Sequence, residues 1–146
     1  MIEVRLFGEP APQGSKQRTR WGMREASEKV APWRADAAHQ FRQAYKGPVL
    51  NEPVSIEMEF IFPRPKGHYG TGKNAEKLKA SAPERCTSAR HGDLEKLARA
   101  VNDSLSVTSG GCILADDRLV VELSLRKRYA KLHEPSGALV RVLALR

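Results

Sequence analysis

The stretch VSIEMEFIF, residues 54–62, alternates apolar residues with polar or acidic ones and is the clearest strand in the chain. Three other segments also read as strands: IEVRLF (2–7), LVVELSLRKRY (119–129) and ALVRVLAL (138–145). The HEPSG segment between the last two predicts a β-hairpin. A sheet is therefore the first constraint on the fold.

Two segments have the pattern of helices. Pro32 suits a first helical turn, WRADAAHQFRQAY (33–45) follows it, and Gly47-Pro48 ends the pattern. The second helix starts after Asp93, a residue suited to an N-cap. Its apolar residues recur at i, i+3, i+4, i+7 and i+11 and form one stripe, made of Leu94, Leu97, Ala98, Val101 and Leu105.

The net charge of the chain indicates which class of partner it binds. The 146 residues carry a formal net charge of +8, which favours an anionic partner, and nucleic acid more than a membrane surface. A soluble domain that is merely basic is the plain alternative. The chain has no apolar run of about eighteen residues, and its N-terminus lacks the apolar core of a signal peptide. Cys86 and Cys112 suit reduced thiols, so we expect a cytoplasmic protein.

The remaining segments are less regular. Residues 16–29 are basic and predict irregular structure, whereas CIL (112–114) predicts a short strand. Residues 63–92 are rich in Pro, Gly, Lys and Arg and predict a long basic loop that contacts DNA, with a short helix at AEKLKA (75–80) as one option. No repeat or composition break divides residues 1–146. We therefore predict one domain of the α/β class, α+β-like, with helices packed on a mixed, largely antiparallel sheet.

One region gathers acids within this basic chain. They occur in HGDLEKLARAVNDSL and shortly after it, at Asp93, Glu95, Asp103, Asp116 and Asp117. Singly, each is more often structural: acids favour helix N-termini, Glu95 and Arg99 form an ordinary i,i+4 pair, and Asp-Asp is a common turn dipeptide. Together they could supply the convergent oxygens, about 2.1 Å from the ion, that Mg²⁺ or Mn²⁺ requires. A basic chain with such acids is a nuclease candidate.

The same residues carry a resemblance to a known family. GDLEKLARAVNDSL, followed by GGCILADDRLV, resembles the RusA-type Holliday-junction resolvases, whose signature is roughly D-x-D-(N/K)-L-x-(K/R)-x-x-x-D-(A/S)-L and then a paired D-D. GEPAPQGSKQRTR is similar to that family's opening strand and basic G-x-P-x-P loop. The resemblance spans nearly the whole chain, with residues 63–90 the least matched part.

The resemblance implies a Mg²⁺-dependent (or Mn²⁺-dependent) endonuclease that works as a homodimer on four-way DNA junctions. Its metal-site acids fall on Asp93, Glu95, Asp116 and Asp117, and its catalytic cation falls on Arg99. The family usually has Asp where this chain has Glu95, and Lys more often than Arg at the cation. Asp103 matches a motif position, but its predicted direction is away from the core.

Basic residues outside the acidic region are candidate DNA contacts, namely Lys16, Arg18, Arg20, Lys66, Lys73 and Lys77. Trp21, His68 and Tyr69 could stack on exposed bases, whereas Trp33, Phe41 and Tyr45 suit the core or a dimer interface. GHYGTGKN (67–74) has Asn74 where a P-loop needs Ser or Thr, so no nucleotide cofactor is expected. Two alternatives to the resolvase are a non-catalytic DNA-binding protein and a nuclease acting on other branched DNA.

Overall fold

The computed structural model of the chain describes residues 1–13, 16–19, 22–25 and 29–145. The strands and α-helices of these residues are, in chain order, β1 (Ile2–Phe7), β2 (Lys16–Thr19), β3 (Gly22–Glu25), α1 (Val30–Ala44), β4 (Val54–Phe62), α2 (Leu94–Leu105), β5 (Val120–Tyr129) and β6 (Gly137–Ala144). Short 3₁₀ turns lie at Lys66–His68, Gly72–Asn74, Ala89–His91, Val107–Ser109 and Asp117–Leu119. Both predicted helices and the four predicted long strands are therefore confirmed.

Four strands form one sheet in the order β1-β6-β4-β5. β6 pairs antiparallel with both β1 and β4, whereas β4 and β5 are parallel. This confirms the predicted mixed, largely antiparallel sheet. β2 and β3 form a separate antiparallel pair in the segment predicted to be irregular. Those eight residues include a single large apolar residue, Met23, so no alternation marks them as strands.

The predicted hairpin between the last two strands is wrong, because β4 lies between β5 and β6. β4 carries Glu57 and Glu59 on one face, and both neighbouring strands carry arginines there. Arg126 pairs with Glu59 at 2.6 Å, and Arg141 pairs with Glu57 at 3.4 Å. Direct pairing of β5 with β6 would place two arginine-bearing strands side by side, which is unfavourable.

The predictions of a strand at residues 112–114 and of a possible helix at residues 75–80 are also wrong. The CIL segment forms no strand, although Leu114 makes isolated bridges to Leu50 and Ser106. No helix forms at residues 75–80. Instead, the loop folds back on itself: Gly70 N donates to Lys77 O at 3.0 Å, and Lys79 N donates to His68 O at 2.8 Å. These bonds across the loop take the backbone groups that a helix would use.

Both helices pack on one face of the sheet and enclose the core. Trp33 and Phe41 of α1 are buried there, which confirms one of the two roles predicted for them. Tyr45 is half-buried, and its hydroxyl donates to Pro48 O at 2.6 Å. α2 contributes Leu97, Val101 and Leu105 to the same core. No helix in the described ranges is both long and apolar enough to cross a lipid bilayer.

The opposite face of the sheet is open and carries ion pairs. Arg128 of β5 holds Glu59 at 2.9 Å and both carboxylate oxygens of Glu134, at 2.7 and 2.8 Å. Lys131 N also donates to Glu134 at 2.8 Å, so this carboxylate fastens the β5–β6 connection to the sheet. The Arg128 hydrogen bonds lower the pKa of Glu134 from its ordinary 4.5 to about 2.

This pKa shift predicts an acid-dependent loss of stability. A carboxyl with a lowered folded-state pKa stabilises the fold fully above its unfolded pKa, and that contribution disappears as the pH falls from 4.5 towards 2. We expect Glu134→Gln to be less stable than the parent at pH 7 and to show a smaller further loss between pH 4.5 and 2. Urea unfolding across this pH range measures both. Glu122→Gln, an exposed change on β5, should follow the parent, and identical pH profiles for parent and Glu134→Gln would contradict the prediction.

Candidate active site

Helix α2 places its acids at one exposed end. Asp93 is at the N-cap position with extended backbone angles, but its side chain makes no capping hydrogen bond. Asp93 and Glu95 are exposed, whereas Leu97, Ala98, Val101 and Leu105 of the predicted stripe are buried. The apolar face of the helix therefore packs against the core, and the two acids near its N-terminus lie outside the core.

Three contacts fix the head of α2. Gly92 has φ +79°, and a Cβ there would lie 2.6 Å from the Pro12 side chain. Gln13 N donates to Lys96 O at 3.1 Å, and Lys127 Nζ donates to Gly92 O at 2.8 Å. Residues 9–13 (EPAPQ), which we call the proline segment, and strand β5 thus both hold the turn that precedes Asp93.

A groove of about 300 Å³ runs between α2 and β5, and we call it the acidic groove. Its lining residues are Glu95, Ala98, Arg99, Asn102, Asp103, Asp117, Leu123 and Leu125. Arg99 Nη2 lies 3.2 Å from Glu95 Oε1, the pair expected from i,i+4 spacing on a helix. The groove therefore combines carboxylates, one guanidinium and an apolar wall in a single cleft.

The paired aspartates play different parts at the turn before β5. Asp116 caps this turn: its Oδ1 accepts from Arg118 N at 2.9 Å, and that bond lowers the pKa of Asp116. Asp117 is exposed and lines the acidic groove. Asp116 is thus held as a carboxylate by the local backbone, while Asp117 faces the cleft.

The structure brings together some of the predicted site residues. Glu95, Arg99 and Asp117 share the acidic groove, whereas Asp93 and Asp116 are not among its lining residues. Within the described ranges, no three Asp, Glu, His or Cys side chains are arranged to hold a metal ion. The four predicted acids therefore do not form a closed cage.

The oxygens of the groove still suit a magnesium ion. Mg²⁺ is commonly bound by one or two carboxylates, with waters and substrate phosphates completing its shell. Glu95 and Asp117 provide two carboxylates. Asn102 Oδ1 is buried and has no hydrogen-bond partner among the residues that the structure describes. Glu95 and Asp117 could each hold an ion whose other ligands come from a bound phosphodiester.

Other site features were not foreseen from the sequence. Asp103 is half-buried instead of pointing outward, and it lies 3.9 Å from Arg34 of α1. Leu123 and Leu125 form the groove wall. Only the alternation along β5 could have indicated that these leucines share a face, and nothing in the sequence pairs that face with α2.

The predicted DNA contacts are distributed over two regions. Lys66, Lys73 and Lys77 are exposed on the long loop, as DNA contacts must be. Lys16 and Arg18 lie on β2, of which only the backbone is described, and Arg20 and Trp21 lie outside the described residues. His68 is packed edge-on against Tyr129, with ring centroids 5.5 Å apart, so its ring is partly committed to the loop.

The close approach at Gly92 predicts a strict requirement for glycine. Gly92→Ala would force an L residue to φ +79° and press its Cβ against Pro12, so we expect a loss of about 1–3 kcal/mol in the free energy of unfolding. Gly67→Ala is the matched control, since a Cβ there meets nothing within 4 Å. Denaturant unfolding compares the two variants. Equal stabilities would show that the Pro12 contact does not constrain the helix head.

Comparison with known proteins identifies the family of this chain. A family model described as Endodeoxyribonuclease RusA matches residues 8–138, which include the proline segment, the long loop, α2 and the Asp116-Asp117 turn. Among curated proteins, none matches the chain. Since the match extends over most of the sequence and contains the acidic groove, the chain belongs to the RusA endodeoxyribonuclease family.

Proposed function

We propose that the protein is a Mg²⁺-dependent endonuclease that resolves four-way DNA junctions by paired, symmetric nicks. Family membership supports the cleavage of DNA. The observation that carries the proposal is the acidic groove. Glu95, Arg99 and Asp117 all line this one cleft. Carboxylates can bind the metal ion for phosphodiester hydrolysis, and a guanidinium can stabilise the charge on the phosphate.

The reaction breaks one bond in the DNA backbone. A water oxygen attacks the phosphorus, the bond from phosphorus to the 3′ oxygen breaks, and that oxygen takes a proton, which leaves 5′-phosphate and 3′-hydroxyl ends. When bound, Mg²⁺ polarises the phosphodiester and lowers the pKa of the attacking water. Glu95 and Asp117 are the proposed ligands in the groove, and Asn102 also lines it.

Arg99 has a proposed role in balancing the charge that develops on the phosphate. Its ion pair with Glu95, at 3.2 Å, keeps the guanidinium at the edge of the groove. An arginine offers a planar set of N–H donors that match phosphate oxygens in pairs, which a lysine cannot do. Asp93 and Asp116 add negative charge beside the groove, and we propose that they help to bind the ion in the DNA complex.

Glu95 has a second partner besides the proposed metal ion. Its side chain reaches Arg99, one helical turn away, and forms the ion pair seen here. Both side chains are more than half exposed, so the pair itself adds little to stability. We therefore propose that Glu95 exchanges Arg99 for the ion when DNA binds, at little cost.

Substitution of the groove acids should separate cutting from binding. Asp117→Asn and Glu95→Gln each remove one anionic ligand with little change of shape, so we expect the nicking rate to fall by at least about a hundredfold, while junction affinity stays equal or rises because less negative charge faces the phosphates. Glu95→Asp should retain activity. The measurements are nicking of a labelled four-way junction with Mg²⁺ and binding of the same junction without it.

The matched control is Glu122→Gln, which removes an exposed carboxylate from β5 on the face away from the groove. Parent-like cutting by both Asp117→Asn and Glu95→Gln would refute the active site. Binding without cutting by the parent would favour a non-catalytic DNA-binding protein. Equal cutting of flaps and four-way junctions would favour a broader nuclease for branched DNA.

We further propose that the protein acts as a homodimer. A four-way junction has two-fold related strands, so symmetric nicks require two related sites. β5 is an edge strand: within the described residues it pairs only with β4. Val121 and Leu123 of β5 are 60% and 44% exposed. An unpaired edge with exposed apolar side chains favours association with a second copy.

A charge placed on this edge should disrupt the dimer. Val121→Glu would put two like charges into a two-fold interface, so we expect sedimentation to show a monomer at concentrations where the parent sediments as a dimer. Leu143→Glu is the control, since Leu143 is 47% exposed on β6, away from the β5 edge. A parent that remains monomeric at micromolar concentration, with and without junction DNA, would contradict the homodimer.

A further inference from the structure

A second cavity, of about 520 Å³, lies at the carboxyl ends of β4 and β5. We call it the arginine pocket, and the lining residues that matter here are Arg64, His68, Ser88, Arg90, His91 and Tyr129. Glu9 is the acid that also lines it. The balance of charge in the pocket therefore favours an anionic ligand.

Arg64 is held in place before any ligand binds. Its Nη1 donates to Pro83 O at 2.8 Å and lies 3.3 Å from His68 Nδ1. The guanidinium carbon stacks 4.5 Å from the centre of the Tyr129 ring. Within the described part of the chain, its Nε and Nη2 groups make no hydrogen bond. An arginine fixed through one nitrogen keeps the donors of its other edge available for an anion.

Arg90 provides a second cation on a short, ordered turn. The turn Ala89–His91 is capped by Ser88, whose Oγ accepts from Arg90 N at 3.3 Å. His91 anchors this turn, because its side chain is only 5% exposed. The centre of its ring lies 4.2 Å from the centre of the Phe62 ring. The Arg90 side chain is exposed. The backbone is thus fixed while the guanidinium remains free to meet a ligand.

The pocket lies next to the head of α2. His91 comes two residues before Asp93, and Tyr129 comes two residues after Lys127, whose Nζ donates to Gly92 O. A ligand in the pocket therefore lies beside the candidate active site. A stacked base is a poor fit, because Arg64, His68 and His91 already contact the Tyr129 ring.

We propose that the arginine pocket binds one backbone phosphate of the DNA strand that enters the acidic groove. Arg64 and Arg90 are the anion-binding residues, and Ser88 and His68 shape the pocket around them. This inference rests on the proposed function, since it assumes that DNA is the substrate. Its consequence is that the strand is positioned on both sides of the α2 head, by a phosphate in the pocket and by the reacting phosphate in the groove.

Neutral backbone linkages test this proposal directly. A four-way junction is prepared as a series, each member with one methylphosphonate in place of a phosphate near the branch point, and binding is measured without divalent metal. For the parent, we expect one position to weaken binding about tenfold, the effect of losing a charge-assisted hydrogen bond. In Arg90→Ala, the same substitution should cost clearly less than in the parent, because one of the two arginine contacts to that phosphate is already absent.

Arg64→Lys provides a second variant. It keeps the charge and loses the planar donors that match phosphate oxygens in pairs, so we expect the effect at the same position to be smaller there than in the parent. Arg85→Ala is the matched control: Arg85 is an exposed arginine of the same loop that does not line the pocket. It should keep the full tenfold effect at that position.

The outcomes separate this inference from the proposed function. A parent that binds and cuts junctions, with Arg64→Lys and Arg90→Ala retaining the parental methylphosphonate profile, overturns the phosphate pocket alone. A parent that neither binds nor cuts junctions overturns the proposed function and the pocket with it. A position-specific reduction of the methylphosphonate effect in both pocket variants, and no reduction in Arg85→Ala, supports the pocket whether or not the groove acids prove catalytic.

Discussion

Strand β4 uses both of its hydrogen-bonding edges, and the rest of the structure depends on this. It pairs antiparallel with β6 on one side and parallel with β5 on the other. Parallel neighbours cannot be joined by a tight turn, so the chain must cross over the sheet between them. That crossover contains the long loop and α2, which places the head of α2 at the carboxyl ends of both strands.

The charges on the open face explain why β4 takes the central position. Glu57 and Glu59 project from β4 and meet Arg141 from β6 and Arg126 and Arg128 from β5. On the opposite face, β4 buries Ile56, Met58 and Phe60 against the helices. A strand with an apolar face and two acids is therefore stabilised by the arginine-bearing strands on both sides.

The crossover also determines the form of the candidate site. α2 runs back along β5 from its head, so its flank faces Leu123 and Leu125 and reaches the turn that carries Asp117. A helix rises about 1.5 Å per residue, so Glu95 and Asn102 lie roughly 10 Å apart along the axis. The groove is consequently elongated, which fits an extended phosphodiester strand better than a compact ion cage. The arginine pocket lies beyond the head of α2.

The local pattern of apolar and polar residues was sufficient to predict the helices and the long strands. The alternation in residues 54–62 and the apolar stripe from Leu94 to Leu105 depend only on which side of one strand or helix is buried, and both predictions are confirmed. The acid motif indicated the family for the same reason, since its spacing lies within short segments. β2 and β3 were missed because they carry no apolar face.

Pairing between distant segments was decided by the tertiary structure. The position of β4 between β5 and β6 depends on matched charges from three strands, and a hairpin between sequence neighbours was the wrong prediction. Asp117 and Glu95 line the same groove, whose wall is made by β5. Arg64 and Arg90 line one pocket with Tyr129, although both arginines belong to a long loop with no periodic signal. The sequence by itself determined the helices, the long strands and the acids; only the folded chain decided which of them meet, because periodicity records the burial of one segment and not the identity of its partner.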